Sequence, residues 1–238
     1  SIAIERCNML TKEMAETTIK AYKRSLALLG DYDEEIAAKI KRAEKVTDKY
    51  EDILGTYLAK VSTHQTSDSD SQLAALLLKV IGDIERMSDH SVNIVESVEE
   101  LREKNIAITD EATEELNHLV KAVTEIIELS FGAFINNDIE TAYKVEPLEQ
   151  VIDELKEYLR DCHIRRLQKG RCTIETGFVW SDLLTDLERT ADHCSNIAIC
   201  VIDSHSDNMN LHASAKKKKK DKEHFDAQYY EYAEKYAF

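Results

Sequence analysis

DIERMSDHSVNI, residues 83–94, comes back as DLERTADHCSNI at residues 186–197. Seven of the twelve positions are identical: Asp83/Asp186, Glu85/Glu188, Arg86/Arg189, Asp89/Asp192, His90/His193, Asn93/Asn196 and Ile94/Ile197. Most of what repeats is polar. A duplicated core would retain its Leu and Ile, whereas a duplicated site retains acids, a histidine and an asparagine. An internal repeat is the first thing to settle in a new chain, because it sets the frame for everything between the copies.

The chain of 238 residues allows one large domain or two small ones. Its 43% hydrophobic content can build a sizeable core, while 32% charged residues and a net charge of −15 give a strongly acidic surface. Such a surface disfavours nucleic acid, whose phosphates require Lys and Arg, and favours cations. Six Gly, one Pro and few aromatics leave little material for β-turns, so the expected fold class is all-α. Five cysteines without a CxxC spacing read as reduced thiols. The longest apolar run, residues 73–78, is far short of the ~20 residues that a membrane span needs.

Apolar residues at three- and four-residue steps predict a first helix over about 4–29, stopped by Gly30. Asp31-x-x-Glu34 reads as the capping box of a second helix, and the polar STHQTSDSDS of residues 62–71 as the loop after it. Ser69-x-x-Gln72 then opens a third helix to about Arg102. The same grammar restarts. A fourth helix begins at Thr109 or Asp110 and reaches about Asn136. A fifth opens at Asn137-x-x-Glu140, with Pro147 imposing a kink or a late start, and stops at Gly170. A sixth runs over about 173–203. The expected architecture is two tandem three-helix bundles, residues 1–103 and 104–203, followed by a lysine- and tyrosine-rich tail over 204–238. That tail reads as a flexible solvated segment with a short terminal helix. Its Lys216–Lys220 run also offers contact with an anionic membrane surface.

Glu85 and Asp89 are four residues apart and share a helix face, as do Glu188 and Asp192. Asp48/Asp52 and Glu149/Asp153 repeat the spacing on the preceding helices. Spacing alone means little, since 46 acids placed at random give about nine such pairs. Register is more informative. If the second and third helices form an antiparallel hairpin, residues equidistant from its loop lie level, both helices rising ~1.5 Å per residue. Asp52 with Glu85, and Asp48 with Asp89, are symmetric about a point between residues 68 and 69. Asp153 with Glu188, and Glu149 with Asp192, are symmetric about one between 170 and 171. Each hairpin therefore brings four carboxylates to one level.

At 100° per residue, Glu188 and Asp192 point roughly 100° and 140° away from the apolar stripe of their helix, so they flank the core and line a shallow surface groove. Four carboxylates held together repel and raise one another's pKa, and a multivalent cation relieves the penalty. Oxygen-only ligands suit Mg, Mn, Ca or ferric iron. Asn93 and Asn196 share the face and can add a carbonyl oxygen, whereas His90 and His193 project about 100° aside and fit a structural hydrogen bond better. The competing reading is a repulsive patch neutralised by Lys and Arg, including Arg86 and Arg189.

On these residues the chain resembles the PhoU family, whose hallmark is a duplicated three-helix bundle carrying E(D)xxxD motifs on two helices per repeat. The motifs stand here as Asp48/Asp52, Glu85/Asp89, Glu149/Asp153 and Glu188/Asp192, with ERMSDHSVNI and ERTADHCSNI as the extended form, over roughly residues 1–203. The stretch HIRRLQKGRCTIETGFVWSDLLTDLERTADHCSNIA is similar more narrowly to the PhoU-like domain at the C-terminus of bacterial Na/phosphate-cotransporter family proteins. What the resemblance implies is a non-enzymatic regulatory module of phosphate transport or signalling with metal clusters (Fe, Mn, Mg, Zn or Ca) on the bundle surface. It further implies a cytoplasmic position at the inner face of the membrane, within a longer membrane protein. The implied partners are a membrane transporter domain or a phosphate-signalling protein, with a second copy of the chain as a further candidate.

Two alternatives compete with this expectation. A metal-free helical scaffold would use the bundle only as an interaction surface. An enzyme would be either a metal-dependent hydrolase or a di-iron protein. The latter needs two ExxH motifs facing inward, and Glu115-x-x-His118 is the only one in the chain.

Overall fold

A computed structural model describes the backbone of residues 1–63, 67–205 and 211–238, and the side chains of all of these except 211–219. The described residues are all-α, as expected, in eight helices: α1 Ile2–Leu28, α2 Glu34–Thr63, α3 Asp68–Glu103, α4 Asp110–Asn136, α5 Ile139–Ala142, α6 Val145–Gln168, α7 Ile174–Ser204 and α8 Leu211–Lys235. They form two compact units, Ser1–Val98 and Glu99–Phe238, so the division falls five residues before the expected 103/104 boundary. The segment 204–238 belongs to the second unit and does not stand apart as a third.

Helix ends follow local chemistry and correct several expected caps. Asp33, not Asp31, caps α2, its Oδ1 accepting from the backbone N–H of Glu35 at 2.8 Å and of Ile36 at 3.2 Å. Ser67 precedes α3 and accepts from Asp70 N–H, so the cap lies two residues before the expected Ser69. The polar loop is accordingly shorter than 62–71, with 64–66 outside the described residues. Thr109 and Thr173 cap α4 and α7. Asn137 ends α4 in the left-handed region at φ 51°, and Gly170 follows α6 at φ 69°. The expected fifth helix is divided. Asp138, not Asn137, caps the four-residue α5, and Pro147 enters the first turn of α6, where its missing N–H costs no helical bond.

In the first unit the core closes around Leu28 of α1, Ala37 and Ile40 of α2, and Val95 of α3. In the second, α4, α6 and α7 pack together and bury Leu119, Ile126, Ile152, Leu159, Leu183, Leu187 and Ile197. Burying each such side chain stabilises the fold by up to about 1.5–3 kcal/mol. Ser130 of α4 donates to the Cys194 carbonyl of α7 at 2.8 Å, joining these helices through the body of the bundle. All five cysteines are free thiols.

The tail is also more structured than expected. Tyr232 of α8 and Tyr236 just beyond its end are buried, the Tyr236 hydroxyl donates to Glu125 of α4, and the Tyr229 hydroxyl donates to Glu154 of α6. Its C-terminal half is therefore docked rather than free in solvent. Lys220 is exposed, and the side chains of the other four lysines of the run lie outside the described residues.

Candidate metal centre

In the α2–α3 hairpin, carboxylate oxygens of Asp48, Glu51 and Glu85 lie within 4.8 Å of one another. In the α6–α7 hairpin the same holds for Glu149, Glu188 and Asp192. Each group draws on both helices of its hairpin, as the register argument requires. The flanking position is also visible in burial: Glu85, Asp89, Glu149, Glu188 and Asp192 are half-buried, while Asp48, Asp52 and Asp153 are exposed.

Of the eight acids the spacing singled out, five sit in these convergent groups. Asp89 adjoins the first, hydrogen-bonding Glu85 and Glu44. Asp52 and Asp153 stand at the edges and are felt as charges, Asp52 by Glu51 and Asp153 by Glu149 and Glu188. Asn93 and Asn196 are exposed. His90 is buried, His193 is half-buried, and both are engaged in other interactions.

Three acids escaped the sequence pattern: Glu51, Glu44 and Glu146. Glu51 lies three residues beyond Asp48, a spacing that shares a helix face as well as four does. The second repeat has Ile152 at the corresponding place, so a search tied to the repeat passes over it. Glu146 contributes to the charge felt by Glu149 and accepts from the Ser195 hydroxyl.

Electrostatics show what the clustering costs. Burial, then the hydrogen bond and charge of Asp89, then Glu51 and Asp48, push Glu85 up to about 8. Glu149 is likewise pushed up to about 8, by burial first and then by Asp192, Glu146 and Asp153. Glu44, Glu51 and Glu188 are also raised, burial leading in each. One cation enters the second group: Lys156 Nζ lies 3.5 Å from Glu188 and pulls its pKa back down. Arg86 and Arg189, weighed as neutralising partners from the sequence, are exposed.

Chemically, each hairpin offers three or more oxygen donors from flexible carboxylates and no imidazole or thiolate among the convergent atoms, which is a donor set for a hard cation. The duplicated acids sit on two hairpins of a duplicated all-α chain, and the PhoU domain model matches residues 11–98 and 116–201. The chain belongs to the PhoU family. A Thermotoga maritima protein named phosphate-specific transport system accessory protein PhoU homolog 1 is 31% identical over 126 residues, spanning about half, 53%, of each chain. A Methanothermobacter thermautotrophicus relative of the same name is 23% identical over 79% of this chain and 85% of its own. The crystal structure of PhoU from Pseudomonas aeruginosa superposes with a TM-score of 0.76 at 21% identity, over 84% of this chain and 95% of that one. The phosphate transport system regulatory protein PhoU from Streptococcus pneumoniae gives 0.74 at 20% identity, over 88% and 99%. The fold of this PhoU-family chain is thus shared along nearly the full length of those structures.

Proposed function

We propose that this PhoU-family protein is a non-enzymatic, metal-binding regulator of phosphate transport or phosphate signalling. The observation that carries the metal part is the paired convergence of three carboxylates within 4.8 Å, once in each hairpin. Asp48, Glu51 and Glu85, with Asp89 and Glu44 beside them, would hold one cation or cluster, and Glu149, Glu188 and Asp192 the other. A bound hard cation supplies positive charge where the acids otherwise repel, and Mg, Mn, Ca and Fe fit the oxygen donors better than Zn. The carboxylates then lose their mutual repulsion, each hairpin is fixed, and a cationic spot appears on an acidic surface. Regulation of phosphate transport is carried by the family and by relatives named as accessory proteins of phosphate-specific transport systems.

A partner at the inner face of the membrane, either a transporter domain or a signalling protein, completes the reading. Among the described residues no helix is long and apolar enough to cross a membrane. The di-iron alternative loses its one motif to structure. Glu115 is paired with Arg166 in the interior, and His118 Nε2 lies 2.6 Å from the Tyr236 carbonyl oxygen.

Elemental analysis of protein purified without chelator, with thermal shifts on adding Mn, Fe or Mg, tests the proposal. The expected outcome is retained or restored metal, with loss at the second hairpin in Glu188→Gln. Absence of metal together with no thermal shift would leave the metal-free scaffold as the correct reading.

A further inference from the structure

The α6–α7 hairpin turns back at Gly170, and its end carries a patch that the first hairpin lacks. Ile164 and Leu167 of α6 and Ile174 and Phe178 of α7 are exposed, at 44%, 37%, 68% and 69%. Single exposed apolar residues are ordinary, whereas a group of large ones marks a contact surface.

Helical geometry puts these four on one face. Leu167 is five turns beyond Glu149 and Ile174 five turns before Asp192, so each shares the azimuth of its acid. Ile164 lies within about 20° of Asp153, and Phe178 within about 40° of Asp192. Glu149, Glu188 and Asp192 converge across the hairpin, so the apolar residues continue the same groove toward its end. Leu167 and Ile174 are symmetric about the point between residues 170 and 171 that also relates the acids, and so stand level. The docked tail lies elsewhere, since Phe238 stacks on Tyr158, about 180° round α6 from Glu149. In the first hairpin the places of Ile164, Ile174 and Phe178 are taken by Thr63, Ser71 and Ala75. Both repeats share the carboxylates, and only the second has the apolar end.

Charge at this end opposes that of the chain. Residues 160–178 hold five Lys/Arg and two Asp/Glu, on a chain of net −15. Arg166 is buried against Glu115, and Glu175 lies 3.6 Å from Lys104. Exposed cations then bracket the patch, Arg160 on the groove face behind Ile164 and Lys169 and Arg171 in the turn. Arg160 has only a surface contact, 3.5 Å to Glu157. The acidic cluster stands roughly 15–27 Å back along the helices, about two Debye lengths or more at physiological salt, so it opposes an anion at this end only weakly.

We propose that this hairpin docks end-first on an anionic lipid surface, its groove face tilted toward the bilayer. Ile164, Leu167, Ile174 and Phe178 enter the boundary between headgroups and acyl chains, and Arg160, Lys169 and Arg171 meet the lipid phosphates. Large apolar side chains flanked by Lys and Arg are the composition of interfacial segments, and an anionic surface complements the local charge. The inference rests on the membrane-facing part of the proposed function and is independent of its metal part.

Flotation of the full chain with vesicles of phosphatidylcholine, alone or mixed with phosphatidylglycerol, tests it. Binding to the mixed vesicles that weakens with added salt is expected, with little binding to phosphatidylcholine alone. The exposed double variant Ile174→Ser with Phe178→Ser lowers the partition coefficient at least about tenfold with an unchanged Tm. Lys169→Gln and Arg171→Gln each lower it about fivefold. Glu188→Gln, which removes a ligand of the metal cluster, leaves it unchanged, so failure here is separable from failure of the metal reading. No binding to mixed vesicles, or undiminished binding in the double variant, would overturn the proposal. So would binding lost only when Lys216–Lys220 are replaced by Gln, since the contact would then belong to the lysine run. Self-association without vesicle binding, abolished in the double variant, would assign the patch to a second copy and overturn the lipid surface.

Discussion

Replacing Glu115 by Ala strips the partner from a guanidinium that is 4% exposed and cannot shed its charge. The structure sets the scale. Nη1 of Arg166 donates to both Glu115 carboxylate oxygens, at 2.8 and 2.9 Å, both residues are buried, and among the described residues Nη2 of Arg166 has no hydrogen-bond partner. Removing one member of a buried pair costs about 3–5 kcal/mol, most of it the penalty of an uncompensated buried charge. For a protein of this size that corresponds to a fall in Tm of roughly 10–15 °C. Urea unfolding followed by Trp180 emission places the loss in the second unit, since the indole stacks near Arg166. The double variant Glu115→Met with Arg166→Met removes both charges and is expected within about 1–2 kcal/mol of the parent. A Glu115→Ala variant within about 1 kcal/mol of the parent would refute the reasoning, because the charge would then be solvated by something other than Glu115.

Metal titration is expected to raise stability by about 2.7 kcal/mol when free ion stands a hundredfold above its Kd. Glu85→Gln and Glu188→Gln each abolish one part of that gain, read as two separate transitions in calorimetry. In metal-free protein, stability should fall as pH rises from about 4.5 to 8. Glu85 and Glu149 have folded pKa values raised to about 8, so the unfolded chain releases their protons first and is favoured as pH climbs through that window. Denaturant midpoints across the range check it, and a rising stability would contradict it. Tyr236→Ala removes a ring that is 5% exposed and its hydroxyl contact to Glu125, so amides of residues 227–235 should lose hydrogen-exchange protection while α4 and α7 keep theirs.

The register of the hairpins was readable because it needs only two numbers, a rise per residue and a loop centre, and the repeat supplied a second copy as a check. What the spacing could not supply was side-chain reach. Asp52 and Asp153 stay exposed at the edges of the clusters, while Glu51 joins Asp48 and Glu85 within 4.8 Å. Pro147 signalled a late helix start but not the separate turn of α5, which depends on Asp138 capping its own three-residue neighbour. In the tail, Tyr229, Tyr232 and Tyr236 share a face at helical spacing, but intervening Glu and Lys lower the mean hydropathy enough to hide it. Arg166 and Glu115 are 51 positions apart on different helices, and nothing local in either sequence anticipates their pairing. Contacts of that kind are set by tertiary packing.

Lys156 gives the two hairpins unequal starting points. At 3.5 Å from Glu188 it acts as a resident monovalent counter-ion, which any arriving multivalent cation must outcompete. Around the first group Asp89 and Asp48 raise Glu44, Glu51 and Glu85, and Lys45 is the weakest of the influences on Glu44. If the two hairpins take up cations as proposed, they would do so at different thresholds, and the response to metal supply would come in two steps where identical halves would give one.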